Sequence, residues 1–163
     1  MEKLSKEEVL ILDSLGRLTG TLDRLSYITK IKENILLHTL EKFEKMELVK
    51  RIKSGKNDDI DFWFTTKEGD SYIGKNYMRN EFDELIDWED VASTVDRIVS
   101  LPDNLIDELY FRCGFIYAGH TMKALSQKEI DEIRKDAKFV EGLLIETPMD
   151  DVLRKLDDIE NGR

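Results

Sequence analysis

The sequence predicts a mainly α-helical chain with one small β-hairpin in its first half, and three observations support this fold class. Apolar residues recur at helical spacing over most of the 163 residues. One short stretch, rich in β-branched and aromatic residues, interrupts that pattern and is typical of strands. Only two prolines and nine glycines break the chain, while apolar residues, at 40%, are sufficient for a packed core.

Three helices are predicted at the start of the chain. The first begins where Ser5 and Glu8 have the spacing of a capping box, and Thr21 can cap the second. A tight turn at 31–34 leads into the third helix, whose apolar residues form a stripe. The stripe consists of Leu36, Leu40 and Phe43. The three predicted helices cover residues 6–18, 22–29 and 32–46.

The pattern becomes extended after the third helix. Residues 48–52 are predicted as a strand, 54–59 as a polar turn, and 60–65 as a second strand rich in aromatic residues. Because side chains alternate along a strand, Trp63 faces away from the phenylalanines on either side of it, and one of these two sides packs on the helices. A further helix opens at 66–69.

The second half of the chain is predicted to be helical throughout. Its helix-start signals are Asp103 after Pro102, the capping-box pair Ser126 and Glu129, and Thr147 before Pro148. The predicted helices cover residues 77–100, with a break allowed at 87–90, and residues 104–118, 127–145 and 148–159. Their faces alternate between acidic and apolar, so this half is an acidic helical region.

Charge is distributed unevenly along the chain. The net charge of −10, taken alone, argues against a nucleic-acid binder and against binding to an anionic membrane. Residues 1–76 carry 14 basic and 14 acidic side chains, so the acidic excess lies entirely in residues 77–163. Within the first part, residues 30–56 carry eight basic side chains against four acidic ones. This asymmetry predicts two domains with different tasks, 1–76 and 77–163.

Several classes of function find no support in the sequence. No apolar stretch is long enough to span a membrane, and the charged start does not resemble a signal peptide, so a cytoplasmic location is expected. Nucleotide-binding, hydrolase and zincin motifs are absent, and the acidic pairs fall at turns and polar faces, so no enzyme activity is expected. His38, His120 and Cys113 are too few for a metal site, and no cofactor is expected.

The order of three helices, a hairpin and a further helix matches a known pattern over residues 25–73. The stripe on the third helix, running into Leu48-Val49-Lys50-Arg51, is similar to a recognition helix followed by the first strand of a wing. Phe64-Thr65-Thr66-Lys67-Glu68-Gly69 is similar to the element that closes the wing and opens the next helix. Residues 6–75 thus resemble the winged helix-turn-helix domain of MarR-like and PadR-like regulators. These families usually have glycine where Glu47 stands.

The resemblance implies that the protein binds double-stranded DNA and regulates transcription. The helix at 32–46 would enter the major groove, and the wing at 48–65 would contact flanking phosphates or the minor groove. The expected DNA-binding residues are Lys32, Asn34, His38, Lys42, Lys50, Arg51, Lys53 and Lys56. Asn34 has the geometry to bond adenine. A homodimer would place two recognition helices on half-sites about one DNA turn apart.

A second interpretation of the same residues is a winged-helix protein-interaction module that does not bind DNA. Glu33 and Glu41 on the third helix would repel phosphates, and the acidity of residues 77–163 favours a protein partner for that half. The aromatic residues between Tyr110 and Tyr117 could line a ligand pocket or a dimer interface, or form a plain helical core. Binding to mixed duplex DNA that weakens steeply with salt would separate the two interpretations.

Overall fold

The computed structural model describes residues 2–18, 20–53, 60–114 and 126–163. In this part of the chain the predicted mainly α fold is confirmed, with two antiparallel hairpins among the helices. Two units follow one another, Met1–Asn76 and Tyr77–Arg163. The polar turn predicted at 54–59 and the end of the helix predicted at 104–118 lie outside the described residues.

The first unit contains the predicted helices and hairpin in the predicted order. Its elements are α1 (Lys6–Arg17), α2 (Leu22–Thr29), α3 (Glu33–Lys45), β1 (Val49–Lys53), β2 (Asp61–Thr65) and α4 (Lys67–Asn76). At the start of α1 the Glu8 N–H donates to Ser5 Oγ at 3.2 Å, and the Ser5 N–H donates to Glu8 Oε1 at 3.0 Å. The predicted capping box is therefore confirmed.

The hairpin joins the helices through Trp63. β1 and β2 pair antiparallel with Arg51 opposite Trp63. Gly20 adds a bridge to β2, since its N–H donates to the Trp63 carbonyl at 3.1 Å and the Trp63 N–H donates back at 2.8 Å. The Trp63 side chain is fully buried, and β2 packs against α1. This is the side of the hairpin that meets the helices.

Burial in the first unit follows the apolar stripes of the helices. The core consists of Leu4, Val9, Ile11, Leu12, Leu15, Leu25, Leu36, Leu40, Phe43, Leu48, Val49 and Trp63. α1 packs against α2, α4 and β2, while α3 packs against α2 and β1. The stripe predicted on α3 is thus buried, which leaves the opposite face of that helix to solvent.

A Schellman motif ends α3 and turns the chain into β1. The Leu48 N–H donates to the Phe43 carbonyl at 2.9 Å, and the Glu47 N–H donates to the Glu44 carbonyl at 3.0 Å. Leu48 and Phe43 are both fully buried, which supplies the apolar contact that accompanies this motif. Glu47 has φ 63°, a left-handed conformation that favours glycine. Glu47 therefore stands at a position whose backbone conformation favours glycine, the residue that is usual there in the families that the sequence resembles.

Thr66 links this corner to the start of α4. Its N–H donates to the Leu48 carbonyl at 3.0 Å, and its Oγ1 donates to the Glu47 carbonyl at 2.6 Å. The Gly69 N–H donates to Thr66 Oγ1 at 3.1 Å, so the threonine also caps α4. A Cβ at Gly69 would lie 2.2 Å from the Leu48 carbonyl oxygen, so only glycine fits there. These contacts account for Thr66 and Gly69 in the Thr-Thr-Lys-Glu-Gly sequence after the wing.

The second unit begins with a hairpin where a helix was predicted. Its elements are β3 (Tyr77–Arg79), β4 (Leu85–Asp87), α5 (Trp88–Val99), α6 (Asp103–Arg112), α7 (Gln127–Arg134), α8 (Ala137–Glu146) and α9 (Met149–Glu160). The prediction of a helix over 77–87 is wrong because the buried Asn80 organises a turn. Its Oδ1 accepts from the N–H groups of Phe82 and Glu84, both at 3.0 Å. Such local side-chain bonds compete with helix formation.

The helix predicted at 127–145 is two helices. Ser126 caps the first as predicted, since its Oγ accepts from the Glu129 N–H. Asp136 starts the second, because its carboxylate accepts from the N–H groups of Lys138 and Phe139. Other predicted starts are shifted by one residue. Pro102 is the N-cap of α6 instead of Asp103, and Pro148 is the N-cap of α9 instead of Thr147.

A single apolar cluster holds the second unit together. It is formed by Met78, Ile86, Val91, Val95, Ile98, Leu101, Ile106, Leu109, Tyr110, Val140, Leu143, Leu144, Val152, Leu156 and Ile159. At its edge the nearly buried guanidinium of Arg134 donates to both carboxylate oxygens of Asp107 at 2.8 Å, which joins α7 to α6. Among the described residues, no helix is long and apolar enough to cross a membrane.

Candidate nucleic-acid interface

The exposed side of α3 carries a line of polar side chains. Asn34, His38, Glu41 and Lys45 follow the spacing of one helix face, opposite the buried stripe, and all four are exposed. We call this line the outward face of α3. Two of the predicted site residues, Asn34 and His38, lie on it. Lys45 was missed in the sequence analysis, although its spacing of seven residues from His38 was visible there.

The turn before α3 adds further exposed groups. Lys32, a predicted site residue, is the N-cap of α3 and is exposed. Lys30 ends α2 in a left-handed conformation with φ 63°, and its Nζ lies 4.5 Å from the centre of the Tyr27 ring. Tyr27 is 76% exposed. Lys30 and Tyr27 were not among the predicted site residues, because neither lies on the predicted recognition helix.

Lys42, another of the predicted site residues, lies beside the outward face of α3 and not on it. It turns toward α1, where its Nζ lies 2.7 Å from Glu8 Oε2. Burial acts to raise the pKa of Glu8, but hydrogen bonds from Lys42 and Ser5 outweigh it and lower that pKa below its usual value. The hydrogen bond to Glu8 raises the pKa of Lys42. This lysine therefore joins two helices of the fold.

The predicted basic residues of the wing fall into two groups. Lys50 and Lys53 are exposed and make no ion pair within the described ranges, but they point to opposite faces of β1. Arg51 is exposed too, but it contacts other side chains of the first unit. Its Nε lies 3.2 Å from Glu44 Oε2, and its guanidinium lies 5.2 Å from the centre of the Trp63 ring. Lys56 falls on residues 54–59, outside what the structure describes.

The face of the wing opposite Trp63 is apolar and exposed. Ile52 is 57% exposed, Ile60 is 50% exposed and Phe62 is 38% exposed. Lys50 lies on the same face, two residues before Ile52. The sequence pattern separated the two sides of the hairpin correctly, and the side without Trp63 is the one left to solvent.

Metal-binding geometry is not found in the described part of the chain. No group of three or more histidine, cysteine, aspartate or glutamate side chains is arranged there to hold a metal ion. Cys113 is half-buried at the end of α6, and His120 lies outside the described residues. Cys113 is packed against the apolar cluster of the second unit.

No protein-family model and no curated protein matches the chain, whereas solved structures do. ZitR of Lactococcus lactis, a zinc-responsive MarR family member, matches at 23% identity and a TM-score of 0.40 over 43% of this chain and 49% of that chain. MarR matches at 19% identity and a TM-score of 0.41 over 44% of this chain and 53% of that chain. The chain thus spans about half the length of these two proteins.

A mutant form of ZitR is matched over more of the chain. It is 16% identical, with a TM-score of 0.44, over 88% of this chain and 75% of that chain. The elements themselves identify the fold of the first unit. Three helices are followed by a hairpin that is bridged by Gly20 and closed by Thr66 onto α4. The first unit therefore has a winged helix-turn-helix fold, similar to that of MarR-family regulators.

Proposed function

We propose that the first unit binds duplex DNA and that the protein is a cytoplasmic transcriptional regulator. The observation that carries this proposal is the set of exposed groups at the N-terminal end of α3, the end that meets base edges in helix-turn-helix proteins. Lys32, Asn34 and His38 are exposed there, and none of them makes an ion pair within the described ranges. No catalytic step forms part of the proposal.

The proposed contacts divide into base reading and phosphate binding. Asn34 would form paired hydrogen bonds with adenine, and His38 would lie next along the outward face. Lys32, Lys50, Lys53 and Lys56 would contact phosphates, which position the protein without reading sequence. Lys42 and Arg51 are assigned supporting roles, because their charges are paired with Glu8 and Glu44.

The second unit would join two copies of the chain and would not contact DNA. Its net charge of −10 repels phosphates, which favours a position away from the duplex. We propose that it forms a homodimer, so that two copies of α3 reach half-sites about one DNA turn apart. A protein partner of the acidic unit remains compatible with this arrangement.

The decisive experiment measures binding to mixed duplex DNA as a function of salt. Affinity should fall linearly on a double-logarithmic plot, with a slope that counts the neutralised phosphates. Replacing Lys50 and Lys53 together by glutamine should weaken binding to all sequences and reduce the slope by about two. Replacing Lys128 and Lys138 by glutamine is the matched control, since both are exposed in the second unit, and it should leave the slope unchanged.

The second candidate function is a protein-interaction module, and the observation favouring it is the exposed Glu41 in the middle of the outward face. A carboxylate there opposes approach to phosphates. If every duplex fails to bind, or binds without dependence on salt, the DNA-binding proposal is contradicted and this candidate takes its place.

A further inference from the structure

Glu41 differs from two nearby carboxylates that form ion pairs with other elements of the first unit. Glu44 pairs with Arg51 at 3.2 Å, and Glu8 pairs with Lys42 at 2.7 Å. Glu41 is exposed on the outward face with Asn34 and His38, and it makes no ion pair or hydrogen bond with any described residue. Any ligand that covers the outward face of α3 therefore contacts the Glu41 carboxylate.

An ionised carboxylate accepts hydrogen bonds and cannot donate them. Within the major groove, cytosine presents its N4 amine as a donor, whereas the amine of adenine stands beside the N7 acceptor. Phosphates and the acceptor-rich edge of guanine repel the carboxylate. We propose, on the basis of the DNA-binding function proposed above, that Glu41 is a specificity-determining residue that selects cytosine and weakens binding to all other sequences.

The spacing along α3 defines the expected pattern in the DNA. Asn34 and Glu41 are separated by seven residues, or about 10 Å of helix axis at 1.5 Å per residue. This distance corresponds to about three base-pair steps of 3.4 Å when the helix lies along the groove. The half-site should therefore contain an adenine read by Asn34 and a cytosine about three base pairs away, read by Glu41.

A selection from randomised duplexes tests this pattern. The full chain should enrich duplexes with cytosine at a fixed distance from adenine. The E41A variant has neither the charge nor a side-chain acceptor, so it should lose the cytosine enrichment while retaining the adenine, and it should bind unselected duplex DNA more tightly than the parent chain. The E33A variant is the control, because Glu33 is also exposed on α3 but lies off the outward face. It should retain the cytosine enrichment.

A base substitution then tests the hydrogen bond itself. Replacing the selected cytosine by thymine exchanges the N4 donor for an O4 acceptor. This change should weaken binding of the parent chain by about fivefold or more and leave binding of the E41A variant nearly unchanged. Cytosine enrichment that persists in E41A, or no enrichment of cytosine in the duplexes that the parent chain selects, overturns the inference alone. Failure of the parent chain to retain any duplex overturns the proposed function and the inference together.

Discussion

The Nζ atom of Lys42 lies 2.7 Å from Oε2 of Glu8 and so joins the last turn of α3 to the first turn of α1. The other carboxylate oxygen of Glu8, Oε1, accepts from the Ser5 N–H and completes the capping box. The Glu8 side chain therefore caps the start of α1 and also binds α3 through Lys42. The charge of Glu8 is needed for the anchor, whereas the capping box needs only a side-chain acceptor.

The E8Q substitution separates these two roles. Glutamine retains the acceptor but removes the ion pair, so the variant should be less stable than the parent chain at pH 7. The pKa of Glu8 is lowered in the folded chain, so its contribution is present above the unfolded pKa and is lost as the pH falls through the folded value. The difference in the free energy of unfolding should therefore shrink between pH 7 and about pH 3.

Urea unfolding at several pH values measures this difference. The E7Q variant is the control, because Glu7 is exposed in the same helical turn. Its effect on stability should change less with pH. An identical pH dependence in the two variants would contradict a role for the Glu8 charge in joining α1 to α3.

The E47G substitution should stabilise the first unit. Glu47 has φ 63°, and a residue with a Cβ in that left-handed region destabilises the folded chain by about 1–2 kcal/mol. Glycine removes this strain, but it also raises the conformational entropy of the unfolded chain, which offsets part of the increase in stability. The expected net increase in the free energy of unfolding is about 0.5–1 kcal/mol. The E47A variant, which retains a Cβ, should show no such increase.

Tryptophan fluorescence can follow this unfolding in the first unit. Trp63 is fully buried there, and in a W88F background it is the remaining tryptophan of the chain. A lower midpoint in denaturant for E47G than for the parent background would show that the left-handed residue is not strained.

The G69A substitution should destabilise the first unit severely. The new Cβ would lie 2.2 Å from the Leu48 carbonyl oxygen, so α4 or the corner at Leu48 must move. We expect a loss of about 3 kcal/mol or more. The G74A variant is the control on the same helix, where a Cβ meets nothing within 4 Å and should add about 0.5–1 kcal/mol of stability. Thermal unfolding that leaves G69A as stable as the parent chain would refute the close approach.

Alkylation of Cys113 should require a higher pH in the folded chain than in the unfolded chain. Burial raises the pKa of its thiol, with the positive charge of Lys155 acting in the opposite direction. Because the thiolate is the reactive form, the midpoint of the alkylation rate against pH should lie higher in the folded chain than in urea. The K155Q variant should raise it further, while K138Q should not. The chain has one cysteine, so the measurement reports this site alone.

The sequence predicted the elements whose signals are local. Ser5 and Ser126 began helices as their spacing indicated. Alternation separated the Trp63 side of the hairpin from the phenylalanine side, but it left open which of the two packs on the helices. The turn at Asn80 was missed, because the apolar residues around it also fit a helical pattern and its side-chain bonds depend on a turn already formed.

The ion pairs around the candidate site were not predictable from the sequence. Charge and predicted exposure grouped Lys42 and Arg51 with the other basic residues, but each pairs with a carboxylate on another element. Glu8 is 34 residues from Lys42 in the chain, and no local pattern indicates that contact. The position of Lys45 and Glu41, by contrast, follows from local spacing. Helical periodicity alone places both on the outward face with Asn34.

The bonds of Thr66 join three consecutive parts of the first unit at one corner. Its amide and hydroxyl bond to the Leu48 and Glu47 carbonyls between α3 and β1, and the same hydroxyl accepts from the Gly69 N–H at the start of α4. The angle at which β1 leaves α3 is therefore stabilised by contacts within the unit and needs no ligand. A ligand that contacts both α3 and β1 would lose less conformational entropy on binding than one that must order this corner itself.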